Sequence, residues 1–223
     1  LNQNRPIEGL RSIVSYEAGK EYLKITSTIK DLTSEDKKTI ETVTKSIEAF
    51  NKLFQNAITP IIFSLDEKNK LQNLIDSSLK INFDLNGNGK SEQWPWVKST
   101  TGFLVWDPQN TGKITSGRQM FGSVTWWIFF ENGYQALDAL DDNRDGQLAG
   151  DELIGIRAWF DKNCNGISEP GEVVDLNTLE IKSIGTKPTG ETSGMPMHEL
   201  GITLTNGTKI PTYDWIATSV NSK

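Results

Sequence analysis

The 223-residue chain has one cysteine, one histidine and no long apolar run. Cys164 cannot form an internal disulfide, so pairing places no constraint on the redox compartment. His198 cannot build a His-rich metal centre. Set between Met195-Pro196-Met197 and a Gly/Thr-rich loop, it also offers no recognisable Ser-His-Asp arrangement. The longest uninterrupted apolar stretch, Trp126 to Phe130, is far short of the roughly 20 residues a membrane-spanning helix needs, so no span is expected and the chain reads as soluble. Its start, Leu1-Asn2-Gln3, carries no leader, which decides nothing about targeting. Clustered basic residues are lacking too: 23 Lys and Arg are scattered among 29 Asp and Glu, for a net charge of −6. That excludes a nucleic-acid grip and a polybasic membrane patch.

A hydrophobic share of 36% is low, but seven Trp and nine Phe supply large apolar surfaces. From Ser34, acidic residues in a first turn and then Ile40, Val43, Ile47, Phe50 and Phe54 at steps of three and four predict an amphipathic helix of about 20 residues, ending before Pro60. Residues 1–58 are expected to form an N-terminal segment and 59–223 the main module. Near the end, Ile202 and Leu204, then Asn206-Gly207, then Ile210, Tyr213 and Trp215 predict a β-hairpin.

Between these lie four Asp/Asn/Gly clusters, starting at Asp84, Asp107, Asp141 and Asp161 and separated by 23, 34 and 20 residues. Calcium takes six to eight oxygens, which a twelve-residue loop supplies at positions 1, 3, 5, 7, 9 and 12, with Gly at 6 for the sharp turn. Asp141, Asn143, Asp145, Gly146, the Gln147 carbonyl and Glu152 meet that template, with water expected at Ala149. Asp161, Asn163, Asn165, Gly166, the Ile167 carbonyl, Glu169 and Glu172 repeat it with one charge fewer. Asp84, Asn86, Asn88 and Gly89 fit its first half, but Pro95 stands at position 12. Asp107, Gln109, Thr111 and Gly112 keep the shape while losing most negative oxygens, and Arg118 occupies position 12. The eight residues Leu153 to Phe160 are expected to form one short helix shared by the two good loops. Phe129, Tyr134, Ala136, Leu137 and Leu140 are expected on the helix entering the first.

The succession Phe83-Asp84-Leu85-Asn86-Gly87-Asn88-Gly89, Gly102-Phe103-Leu104-Val105-Trp106-Asp107, Gly133-Tyr134-Gln135-Ala136-Leu137 and Ile156-Arg157-Ala158-Trp159 resembles the calcium-binding module of large secreted bacterial proteins, notably iron-regulated RTX proteins with a self-processing module. The resemblance covers about residues 59–185. It implies Ca2+ as the bound cofactor, a secreted or cell-surface location, and a surface protein or glycan as partner. It also implies cleavage of an Asp-Pro bond, in which the carboxylate attacks its own peptide carbonyl. Here Thr59 precedes Pro60 and has no carboxylate, so no enzymatic activity is expected. Asp107-Pro108 reads as a turn.

The resulting expectation is an α+β fold of EF-hand-like calcium loops, short helices and β-hairpins, behind an N-terminal helical segment, serving as a calcium-stabilised structural or adhesive domain. The alternatives are calcium-triggered self-processing and carbohydrate binding through Trp94, Trp96 and Trp126.

Overall fold

The computed structural model describes residues 19, 21–53, 58–66, 70–128 and 130–220, without the side chains of 46–53. The chain divides into two compact units, residues 1–56 and 57–223.

In the first unit the expected helix is present as α1 (Ser34–Leu53). Its cap is Thr33, one residue before the expected start: the Thr33 hydroxyl accepts the Asp36 N–H, and the Asp36 carboxylate accepts the Thr33 N–H at 2.9 Å. This reciprocal capping satisfies two of the backbone groups that a helix start leaves open. Phe54 lies outside the described residues, as do the side chains of Ile47 and Phe50.

The second unit is mostly β. Its strands are β1 (Ile61–Phe63), β2 (Ile75–Phe83), β3 (Glu92–Val97), β4 (Gly102–Trp106), β5 (Gln147–Ala149), β6 (Ile156–Trp159), β7 (Val173–Asp175), β8 (Ile181–Gly185), β9 (Gly190–Thr192), β10 (Met195–Leu204) and β11 (Lys209–Asp214). The main sheet runs β5-β8-β10-β11-β1-β4-β6-β7, with β9 on β10, and every pairing in it is antiparallel. β2 and β3 form a separate hairpin. In this unit the described α-helices are only α2 (Leu71–Leu74) and α3 (Gly133–Asp138).

The α+β, EF-hand-like expectation is therefore corrected, and the reason is local. Runs such as Ile61–Phe63 and Phe103–Val105 are entirely buried, so they are central strands covered on both faces, which lack the alternation that announces a strand. The helix expected to be shared by the two good loops is instead a 3-10 turn (Gly150–Leu153) followed by β6, held between β4 and β7. Gly155 separates them at φ +89°, and a Cβ there would meet the Trp106 ring at 2.8 Å. At that angle the backbone has left the right-handed helical region, and no helix continues through it.

The expected terminal hairpin is present as β10 and β11, with Ile202 opposite Ile210. Four residues, 205–208, connect them, with Gly207 left-handed at φ +86°. Phe83, Trp96, Phe103 and Trp159 pack with ring centroids 5.2–5.9 Å apart. This cluster joins the β2–β3 hairpin to the main sheet, and each such pair contributes about 0.5–1.5 kcal/mol beyond simple burial.

Candidate metal centre

The four Asp/Gly clusters adopt one backbone. In each, the fourth and sixth residues are left-handed: Gly87 and Gly89, Asn110 and Gly112, Arg144 and Gly146, Cys164 and Gly166. In each, the first aspartate accepts the N–H of the sixth residue at 2.8–3.2 Å. A first carboxylate that closes its own loop explains why Asp recurs there and why Gly, free to take positive φ, follows five residues later.

The Asp141 loop leaves α3 and enters β5. Asp141 is buried, its Oδ1 accepting the Asp145 N–H and its Oδ2 the Gly146 N–H. Thr186, just past β8, adds its hydroxyl at 3.4 Å from Oδ2. Asn143 Oδ1 accepts the Asp145 N–H, and Asp145 Oδ1 accepts the Gln147 N–H. Glu152 folds back across the loop: Oε1 accepts the N–H groups of Asp142 and Asn143, and Oε2 that of Ala149.

The Asp161 loop leaves β6 and repeats this pattern in a drier setting. Asp161 is fully buried, with Oδ1 on the Asn165 N–H and Oδ2 on both the Gly166 N–H and the Trp96 indole N–H. Burial pushes its carboxyl above the ordinary value, and the donors of Gly166, Asn165 and Trp96 hold it back. Glu172 is buried as well, Oε1 accepting the Lys162 N–H and Oε2 the Glu169 N–H. The side-chain amides of Asn163 and Asn165 both donate to Glu169. Asn165 Oδ1 accepts the N–H of Ile167, whose side chain is exposed.

The other two loops keep the shape with other partners. Asp107 takes the Thr111 and Gly112 N–H groups and the Thr111 hydroxyl. Burial works against its ionisation, yet those donors set its carboxyl below the usual range. Asp107-Pro108 is thus a tight turn. In the Asp84 loop, Asn86 Oδ1 accepts the Asn88 N–H, and the Asn88 amide donates to Glu92. The fourth carbonyl, Gly87 O, accepts both Arg118 Nε at 2.6 Å and Trp127 Nε1 at 2.7 Å.

The carboxylates at positions 1 and 12 of each good loop are brought to the same loop, but Glu152 is occupied by backbone N–H groups and Glu172 by backbone N–H groups and the Trp159 indole N–H. Among the described residues no three His, Cys, Asp or Glu side chains converge as an ion cage. The spacing identified the loops; it did not reveal Trp96, Thr186 or Arg118, whose contacts come from 65, 45 and 31 positions away.

Trp94 and Trp96 are fully buried, so the alternative of a sugar platform is corrected for these two: their N–H groups bond Phe83 O and Asp161. Trp126 packs edge-on against Trp106, Phe121 and Phe130. Phe129 lies outside the described residues, as do 67–69. The Cys164 thiol is half-buried, and burial together with Asp161 raises its pKa, the opposite of a reactive thiolate.

No described helix is long and apolar enough to cross a membrane. The chain is similar to the iron-regulated protein FrpA of Neisseria meningitidis serogroup C, 36% identical over 107 residues, which is 46% of this chain and 10% of that relative. The chain thus spans about a tenth of the length of the relative it matches. Residues 61–214, running from the first strand of the main sheet to the last residue of β11, match the SPM domain. That match takes in well over half of the chain, which therefore belongs to the SPM domain family.

Proposed function

We propose that the chain is a calcium-binding, calcium-stabilised structural or adhesive domain of a secreted or surface bacterial protein. The observation that carries this reading is the duplicated loop: Asp141 with Glu152 and Asp161 with Glu172 each set an aspartate and a glutamate on the two ends of one left-handed turn. Asn143, Asp145 and the Gln147 carbonyl in one loop, and Asn163, Asn165 and the Ile167 carbonyl in the other, complete all-oxygen donor sets that suit a hard divalent cation. Asp84, Asn86 and Asn88 offer a third, poorer set.

Binding requires Glu152 and Glu172 to exchange backbone N–H partners for the ion. Nine acidic and three basic residues lie between Asp138 and Glu172, a local charge of −6 equal to that of the whole chain. Two calcium ions would relieve that repulsion. At calcium 100-fold above the dissociation constant, binding to the native state alone adds about 2.7 kcal/mol of stability per site. An extracellular setting, where calcium is millimolar, fits loops of this moderate charge. Self-processing at the junction before β1 is not part of this reading, because Thr59 supplies no carboxylate before Pro60.

The test is thermal unfolding in chelator and in millimolar calcium. A calcium-dependent rise that disappears in Asp141→Asn/Asp161→Asn supports the reading, and a rise unaffected by both substitutions refutes it.

A further inference from the structure

Arg118 stands at position 12 of the Asp107 loop, where a ligand glutamate would be, yet it turns to the Asp84 loop and donates Nε to Gly87 O at 2.6 Å. Its guanidinium carbon lies 3.9 Å from the centroid of the Trp127 ring, and Trp127 donates to the same carbonyl. Cation, ring and carbonyl thus make one cluster; burial raises the Asp84 carboxyl above its ordinary value, and the Arg118 charge, with the donors of Ser116 and Gly89, works against that.

Two further features serve this cluster. Trp126 and Trp127 are both left-handed, at φ +52° and +61°, a costly conformation for consecutive aromatic residues. It is the conformation in which the Trp127 indole reaches Gly87. The packing also leaves no slack: a Cβ on Gly87 would sit 2.8 Å from Arg118 Cγ, and one on Gly117 1.8 Å from Leu85 O. The loop's remaining anion, Glu92, is bonded to Asn88, and Pro95 at position 12 offers no oxygen from its side chain.

We infer that Arg118 is the resident cation of the Asp84 loop: the chain's own guanidinium holds this loop shut without metal, and the domain takes up two calcium ions rather than three. One substitution relates the two irregular loops, since the residue that deprives the Asp107 loop of its last ligand supplies the Asp84 loop with its charge. The stoichiometry rests on the calcium reading above; the clamp does not.

Two measurements on the full chain test it. In chelator, Arg118→Met, which keeps the length but removes charge and donors, lowers the unfolding midpoint by about 3–6 °C, and Arg118→Lys, which keeps the charge, falls between it and the wild type. By calorimetric titration with calcium chloride, the wild type and Asp84→Asn both bind two ions with equal affinity. An unchanged midpoint in Arg118→Met overturns the clamp, as does a wild type that binds three ions where Asp84→Asn binds two. If Arg118→Met does not fold, Arg118→Lys and the Asp84→Asn stoichiometry decide. A wild type that binds no calcium refutes the calcium reading, and the metal-free midpoints then decide the clamp alone.

Discussion

The indole N–H of Trp96 donates to Oδ2 of Asp161 at 2.7 Å, joining side chains 65 positions apart that are both fully buried. Oδ2 is thereby held twice, by Gly166 and Trp96, whereas Oδ1 carries only the Asn165 N–H and keeps a lone pair for a cation. The β2–β3 hairpin is thus coupled to the best-sheltered of the candidate ligands.

Trp96→Phe removes that donor while retaining most of the ring's volume. A bond to a charged acceptor is worth about 1.5–3 kcal/mol, so denaturant unfolding in chelator should show a loss of that size. A loss below about 0.5 kcal/mol would mean that the backbone donors alone solvate Asp161.

Asp214 gives the fold a pH dependence of unusual sign. It is buried in β11, its Oδ1 accepting the Gly133 N–H at the start of α3 at 2.7 Å, and burial pushes its pKa from 3.8 to about 7. Because the folded value is raised, the stability this group contributes is complete below pH 3.8 and is lost as the pH climbs through about 7. Asp214→Asn keeps the acceptor and never ionises. Relative to wild type it should gain on the order of 2–4 kcal/mol between pH 4 and 8, read from chemical unfolding at a series of pH values. Parallel pH profiles would show that Asp214 does not titrate in this window.

The backbone at Gly117 lies against the Leu85 carbonyl, where a Cβ would approach to 1.8 Å. Gly117→Ala must push the short 3-10 turn Gly117–Gln119 away from the Asp84 loop, and it should cost more than about 3 kcal/mol or prevent folding. A variant that melts like the wild type would contradict the close approach.

Much of the candidate site was legible in the sequence, because twelve-residue spacing, an initial Asp and a sixth Gly are demands of the loop itself. The left-handed fourth residues Arg144 and Cys164 show that the repeat holds even where glycine is absent. Helix α1 was legible from its period, and the terminal hairpin from Asn206-Gly207. The fold class was not. Short buried runs, such as Ile61–Phe63 and Phe103–Val105, carry no period, and only the register of the first with β4 and β11 and of the second with β1 and β6 makes them strands. The buried roles of Trp94 and Trp96 were hidden for a related reason, since their partners lie in other parts of the chain.

The junction before β1 should be inert. Thr59 is buried, its N–H facing the Ser123 hydroxyl at 3.3 Å. Prolonged incubation with millimolar calcium should leave a single intact mass. A fragment ending at Thr59 or at Asp107 would show self-processing and displace the structural reading.

Calorimetric titration of the wild type with calcium chloride should show two bound ions, one lost in Asp141→Asn and the other in Asp161→Asn. No heat of binding at millimolar calcium, or binding unaltered in both variants, would contradict the calcium reading.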